Sequence, residues 1–248
     1  MLACVLNWVH GVEITMRAGN DRVKRGLNAA KRLSQSPASL RDEATYSLIR
    51  LRLRDFTMVP RAWFIDSVRL ARRAASAEGD LVECGTWRGG MSAAMAWAVP
   101  GRHSVLFDSF EGLPDAKPID GPSAVHWSTN VRDYDNCRAE ESWAIQAMER
   151  VRQTDFELVK GWFEDTVPAW AKDQRAIAML RLDGDWYDST ILCLEHLWPL
   201  VCAGGVIVID DYYTWDGCAR ALHDHLSRVQ AAERIMRTRS GVAYMIKR

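Results

Sequence analysis

The stretch Met179-Leu-Arg-Leu-Asp183-Gly-Asp185-Trp-Tyr-Asp188-Ser-Thr190, a helix-length run to Val201, and then Gly204-Gly205-Val-Ile-Val-Ile-Asp210-Asp211-Tyr212 together decide the fold. Two short apolar runs each end in acidic residues, and a segment of helical length lies between them. That pattern is a βαβ unit whose parallel strands are buried on both faces. Parallel strands finish on one side of their sheet, so Asp183 and the Asp210/Asp211 pair converge at the edge where open α/β sheets bind ligands. Three carboxylates in one place repel each other unless a cation stands among them. A hard divalent metal in an active site is the expectation.

The alternation extends outward from this unit. Upstream, strands are expected at Asp80–Gly85, Ser104–Asp108 and Phe156–Gly161, with helices at 91–99 and 139–151. Ala176–Asp183 and Val206–Asp210 are the fourth and fifth strands, flanked by helices at 189–201 and 217–230. Arg234–Arg239 and Val242–Lys247, joined by Ser240-Gly241, read as a closing hairpin. The fold class is therefore α/β: a doubly wound, mostly parallel sheet with a C-terminal antiparallel hairpin and an N-terminal helical segment. Residues 1–78 form that segment and 79–248 the main domain. In the segment, Ser39 or Asp42 caps a helix through Leu48, Leu51 and Leu53, and a second helix runs from Ala62 to Ala77. The polar tract Asp115–Asn136 is long enough to be a functional lid.

Composition narrows the function. The 248 residues are 48% hydrophobic, enough for a full core, and 32 basic residues balance 32 acidic ones. Zero net charge gives no sign of a nucleic-acid or anionic-membrane partner, and Arg50, Arg52 and Arg54 read as a solvated helix face. Six cysteines without a CxxC pair, and no secretion signal, point to reduced thiols and a cytoplasmic protein. Met1–Val12 is apolar but too short to span a bilayer, so it reads as a packing segment or a start-site artefact.

Between the first strand and its helix lies Glu83-Cys-Gly85-Thr-Trp-Arg-Gly89-Gly90. Gly85 permits a sharp turn with a ligand close by, and Gly89 and Gly90 leave the helix N-terminus open. The spacing is not that of a dinucleotide fingerprint, and the Gly-Lys-Ser/Thr of a P-loop is missing. Asp108 ends the second strand, 108 − 83 = 25 positions after Glu83, where an acid accepts hydrogen bonds from ribose hydroxyls. Glu83 suits the positive end of a ligand. A glycine turn after strand one with a ribose acid after strand two also suits S-adenosylmethionine.

Five motifs in order carry a family resemblance: the Glu83–Gly90 loop, Phe107-Asp-Ser-Phe-Glu-Gly-Leu-Pro114, Lys160-Gly-Trp-Phe-Glu-Asp-Thr166, Leu180–Thr190, and Ile209-Asp-Asp-Tyr212. Together they resemble the macrocin O-methyltransferase family, from about Thr57 to the C-terminus. The separation of Asp183 from the Asp-Asp pair, 210 − 183 = 27, agrees with that family's pattern. The resemblance implies a Rossmann-like class I methyltransferase using S-adenosylmethionine and Mg²⁺. It implies Asp183, Asp210 and Asp211 as metal ligands, with Asp183 also the general base. It implies cofactor contacts from Glu83, Gly85, Thr86, Trp87, Arg88, Gly89 and Gly90, and from Asp108, Ser109, Phe110, Glu111 and Gly112. Thr57-Met58 resembles the family segment that closes over the cofactor, with Trp162, Asp165 and Thr166 near it. Trp186 is a departure, standing where many relatives carry a smaller aliphatic residue.

The expected reaction is methylation of a hydroxyl on a sugar or glycosylated small metabolite, with the metal chelating two vicinal hydroxyls. A catechol-like phenol acceptor and a non-catalytic binding domain are the alternatives. A homodimer is also expected, from the helical segment. Among the remaining residues, His126, His223 and His225 are expected in solvent, and Asp185 and Asp188 are expected to cap the helix after strand four. Trp127 and Trp186 belong either to the core or to a sugar-stacking surface.

Overall fold

The structure, a computed structural model, describes residues 37–130 and 136–248. Met1–Val12 and Cys4 lie outside the described residues. Helix α1 spans Pro37–Arg52 and α2 spans Arg61–Ala74, with a 3-10 turn, Arg54–Phe56, between them. Then come β1 (Asp80–Cys84), α3 (Gly90–Ala98), β2 (Ser104–Asp108), α4 (Pro122–Asn130) and α5 (Glu141–Arg150). The chain continues as β3 (Phe156–Lys160), α6 (Phe163–Ala171), β4 (Ile177–Leu182), α7 (Tyr187–Leu197), β5 (Val201–Ile209), α8 (Asp216–Arg228), β6 (Met236–Arg237) and β7 (Ala243–Ile246).

The seven strands order as β3-β2-β1-β4-β5-β7-β6. β1 to β5 are mutually parallel, β7 runs antiparallel to β5, and β6 antiparallel to β7. Period-two alternation sorts the strand residues onto two faces. Leu81, Leu106, Met179, Val206 and Val208 face a core built with α1, α2, α3 and α5. Val82, Val105, Phe107, Leu180 and Ile207 face the other, built with α4, α6, α7 and α8. Both faces are covered, which is why the central strands read as continuous apolar runs. Helices α1 and α2 share their core with the sheet, and Asp66 of α2 ties to the hairpin by accepting from the N–H (3.1 Å) and Oγ (2.7 Å) of Ser240.

Three local expectations need correction, and one helix has no counterpart in the sequence reading. Helix α1 already begins at Pro37, so neither Ser39 nor Asp42 is its N-cap; Asp42 instead lies 3.8 Å from Arg72 across to α2. In the tract 115–136, the described residues 115–130 are not an open loop. They hold a 3-10 turn, Pro118–Asp120, and then α4, where Pro122 opens the helix and Ala124 and Trp127, three apart, anchor it in the core. Helix α6 was hidden by Pro168, a breaker that sits inside it. Strand β5 starts at Val201, before an irregularity: Ile177 pairs with Val201 but Met179 with Val206, so the intervening residues bulge out of the ladder.

Candidate active site

The switch in strand order falls between β1 and β4, whose partners lie on opposite sides, and the candidate site occupies the carboxyl ends of β1, β2, β4 and β5 there. A cavity of about 480 Å³ opens at this edge. That volume is in the range of small-molecule sites. Its walls run from Thr57, Met58, Glu83, Gly85, Thr86, Trp87, Asp108, Ser109 and Gly112 to Trp162 and Asp183.

The glycine loop serves packing more than ligand clearance. Gly85 has φ +92°, and a Cβ there would lie 1.9 Å from the carbonyl oxygen of Asp183, so β1 and β4 close directly on each other. A Cβ on Gly89 or Gly90 would strike the backbone of Ala144 or Phe56. Arg88 turns outward, stacks over Trp87 and Trp143, and donates to the carbonyl of Asp55.

Asp108 holds the other end of the cavity. Its Oδ2 accepts from Trp87 N–H and its Oδ1 from Phe110 N–H, both at 2.7 Å. Trp87 and Phe110 both have positive φ, 50° and 60°, so one carboxylate fixes two backbone turns that bulky residues rarely adopt. Burial raises the Asp108 pKa against these hydrogen bonds. The Thr86 backbone also hydrogen-bonds to this carboxylate, which lines the cavity where an acid can accept from ribose hydroxyls. Glu111 is exposed, Thr166 bonds back to the Trp162 carbonyl, and Asp165 is exposed on α6; the cavity wall does not include these three.

The acids at the β4 and β5 ends do converge, but around a residue the sequence did not single out. Arg181, 1% exposed, pairs in register with Glu83 of β1. Its Nη1 donates to Glu83 Oε1 (2.5 Å) and Asp183 Oδ2 (2.8 Å), and its Nη2 lies 2.8 Å from Asp210 Oδ1. Burial alone lowers a guanidinium pKa, but Asp183, Asp210 and Glu83 together raise that of Arg181 well above its ordinary value. Ser92 Oγ donates to the second oxygen of Glu83. Both Glu83 oxygens are therefore engaged by the protein, and burial pushes its pKa up to about 7.

Asp210 is drawn to Arg181, whereas Asp183, Asp185 and Asp211 present ligand atoms within 4.8 Å of one another. Asp185 does not cap α7. It is fully buried with φ 58°, its Oδ1 accepts from Trp215 Nε1 at 2.7 Å, and its backbone N–H donates to Asp211 Oδ2 at 3.3 Å. Burial first, and neighbouring acids second, push Asp185 and Asp211 well above the usual carboxylate range, and burial raises Asp210 to about 6. Asp185 Oδ2 is buried without a hydrogen-bond partner. Glu83, Asp183 and Asp210 therefore pair with one guanidinium, and Asp185 and Asp211 lie beside Asp183. An all-oxygen donor set with surplus negative charge fits a hard divalent cation. Of Asp183, Asp185 and Asp211, Asp183, whose side chain is 17% exposed, is the one that also lines the cavity.

Trp127 lies in the core, and Trp186 packs there while also lining the cavity. Trp127, Trp186 and Trp215 are buried in one stack with centroids 5.9 and 5.2 Å apart, and Trp186 Nε1 donates to the Pro114 carbonyl. His126 and His223 are exposed, as expected. His225 is not: it is 2% exposed, packs edge-on to Trp198, and neither ring nitrogen has a hydrogen-bond partner. Two residues on from His223, it turns to the opposite side of α8 and into the core.

Burial, and then Arg228, lower the His225 pKa, with Glu195 opposing and Lys247 adding to the lowering. A depressed folded-state pKa means the unfolded chain takes up the proton first. Stability from this group is present above about pH 6.5 and is lost as the pH falls below it, toward the folded-state value. Thermal unfolding followed from pH 7.5 to 5 should show a shallower acid loss in His225→Phe than in the parent. Parallel slopes would contradict the assignment.

The Macrocin-O-methyltransferase (TylF) family profile matches residues 54–245. The chain belongs to the macrocin O-methyltransferase family. A tetracenomycin-C rhamnosyl 4′-O-methyltransferase from Streptomyces olivaceus is 37% identical over 158 residues, covering 60% of this chain and 59% of that protein. Demethyldecarbamoylnovobiocin O-methyltransferase from Streptomyces niveus is 32% identical over 169 residues (64% and 62%). Mycinamicin III 3″-O-methyltransferase from Micromonospora griseorubida is 32% identical over 171 residues, 64% of each. The chain thus spans about three-fifths of the length of these curated relatives. Among solved structures, the O-methyltransferase NovP superposes with a TM-score of 0.65 at 26% identity, covering 77% of this chain and 82% of that one. Calicheamicin methyltransferase CalS11, at TM-score 0.60 and 20% identity over 86% and 93%, shares the fold. The macrocin family fold is a class I, doubly wound α/β sheet here, with the antiparallel hairpin at its end.

Proposed function

We propose that the chain is an S-adenosylmethionine-dependent, Mg²⁺-requiring O-methyltransferase acting on a hydroxyl of a sugar or glycosylated small metabolite. The observation that carries this reading is a single cavity joining Asp108 at one end to Asp183, and the buried acid cluster beside it, at the other. Family membership and the printed activities of the relatives support it. Residues 79–248 act as the methyltransferase domain, and Thr57 and Met58 of the preceding segment close its cofactor end.

When bound, the cofactor supplies an electrophilic sulfonium methyl, and a divalent cation makes a nearby vicinal diol more acidic. The chain's own residues do the rest. Asp108 anchors the ribose, with Gly85, Thr86 and Trp87 forming the adjacent wall. Asp183 and Asp211 would hold the cation, a role that both the family resemblance and the acid cluster support; the resemblance adds Asp210 as a third acid and the cluster adds Asp185. Asp183 accepts the proton from the acceptor hydroxyl, an oxygen far too weakly acidic to react unaided. The wall residues align that oxygen with the methyl carbon, which supplies much of the rate.

An acceptor panel tests the reading: neutral glycosides with vicinal diols, including methyl α-L-rhamnopyranoside and glycosylated macrolides and aminocoumarins, against simple catechols. Each is run with Mg²⁺ and with EDTA, following S-adenosylhomocysteine. Metal-dependent turnover of a glycoside is expected. Turnover confined to catechols would replace the acceptor class, and EDTA-insensitive turnover would remove the metal. Loss of Mg²⁺ affinity on Asp185→Asn or Asp210→Asn identifies the third ligand.

A further inference from the structure

Helix α7 begins directly after the acidic loop, yet its N-cap residue, Trp186, makes no side-chain cap. The cap comes from 67 residues away: the Tyr187 N–H donates to Asp120 Oδ1 at 2.7 Å. An acid at this place satisfies an orphan donor and suits the positive helix end. The other oxygen of Asp120 accepts from Lys117 N–H, also at 2.7 Å, and closes the 3-10 turn on itself. Asp120 is 2% exposed.

A third segment presses on the same carboxylate. A Cβ on Gly217, at the start of α8, would lie 2.2 Å from Asp120 Oδ1, and one on Gly121 would lie 2.4 Å from Asp216 Oδ2. One side chain thus joins the strap Leu113–Gly121, the head of α7 and the head of α8. The strap is also fastened by the Trp186 bond to the Pro114 carbonyl (3.0 Å) and the Lys117–Asp188 ion pair. Leu113, Pro114, Asp115, Lys117 and Asp120 of the strap, and Trp186, Asp188 and Ser189 at the head of α7, line the cavity. None of these contacts reaches Asp108 or the loop after β1.

We propose that Asp120 is a positioning residue that sets the acceptor wall of the cavity against the loop bearing Asp183, leaving the methyl-donor end untouched. This rests on the cavity being a methyltransferase site. Asp120→Asn keeps the shape but puts an amide N–H against one of the two N–H donors. Gly217→Ala displaces Asp120 from the α8 side, meeting its Oδ1 at 2.2 Å and its Cα at 2.8 Å, at a helical position where alanine is otherwise favourable.

Both variants should raise the KM of the best glycoside in the panel, and of methyl α-L-rhamnopyranoside, by about tenfold, the effect of losing one charge-assisted hydrogen bond. kcat and the S-adenosylmethionine Kd should stay within about twofold. The double variant should match either single variant, because both act through one carboxylate. Hydrogen exchange is a second readout, independent of catalysis: amides of 113–121 and 186–190 should exchange faster in both variants, and those of 83–90 should not. Unchanged exchange in those segments overturns the proposal even if no acceptor is ever turned over. With an acceptor in hand, faster exchange and an unmoved KM also overturns it, since Asp120 would then only stabilise the fold.

Discussion

Replacing Asp183 by asparagine should lower methyl transfer by about 10²–10⁴-fold, the span attributable to a general base, while S-adenosylmethionine still binds with nearly parental affinity. The separation follows from position. Asp183 closes β4 beside the acid cluster, whereas the donor end is fixed by Asp108, whose two oxygens hold the N–H groups of Trp87 and Phe110. Asparagine retains an oxygen to accept from Arg181 Nη1, so the local packing has no cause to collapse. It lacks the charge that takes a proton and weakens any cation held with Asp211. Single-turnover rates and donor calorimetry on the same preparation check both halves. Unchanged turnover would falsify the role given to Asp183.

Arg181→Met should produce the largest loss of stability, about 3–5 kcal/mol, because it strands buried carboxylates that the guanidinium now neutralises. For a chain of this size that corresponds to a midpoint lower by roughly 10 °C. Arg181→Lys should recover only part of this, since one ammonium cannot reach Glu83, Asp183 and Asp210 together as the planar fork does. Glu83→Gln offers the contrast. Burial already holds Glu83 at about pKa 7, so near neutrality a substantial fraction is uncharged, and a neutral amide still accepts from Arg181. Its effect should stay within about 1 kcal/mol. Thermal melts with and without Mg²⁺ would show the order Met, then Lys, then Gln; a parental melting curve for Arg181→Met would refute the charge balance described here.

The acid edge was legible because parallel strands share one end: the apolar runs before Asp183 and Asp210 were enough to bring those residues together. Arg181 was not legible, because Leu-Arg-Leu in mid-strand says nothing about a partner on β1. The pairing with Glu83 depends on β1 and β4 being neighbours, a fact of strand order rather than of local pattern. For the same reason the cap on α7 was misassigned. Local reasoning could look only to Asp185 and Asp188, whereas the cap came from Asp120 in a tract read as open loop. Gly85 reads as room for a ligand and Gly89 and Gly90 as an open helix end, whereas what approaches them is the protein's own backbone at Asp183, Ala144 and Phe56. Burial in the core is the natural reading of a tryptophan; Trp127 follows it, and Trp186 does so while also facing the cavity.

The central claim is that the cavity between Asp108 and Asp183 holds a methyl donor. Titration of S-adenosylmethionine into the protein, in a calorimeter and with Mg²⁺ present, tests it most directly. One-to-one binding is expected, at least tenfold weaker in Asp108→Ala and within about twofold of parental in Asp183→Asn. Absence of heat at high donor concentration, or an Asp108→Ala variant that binds as tightly as the parent, would contradict it.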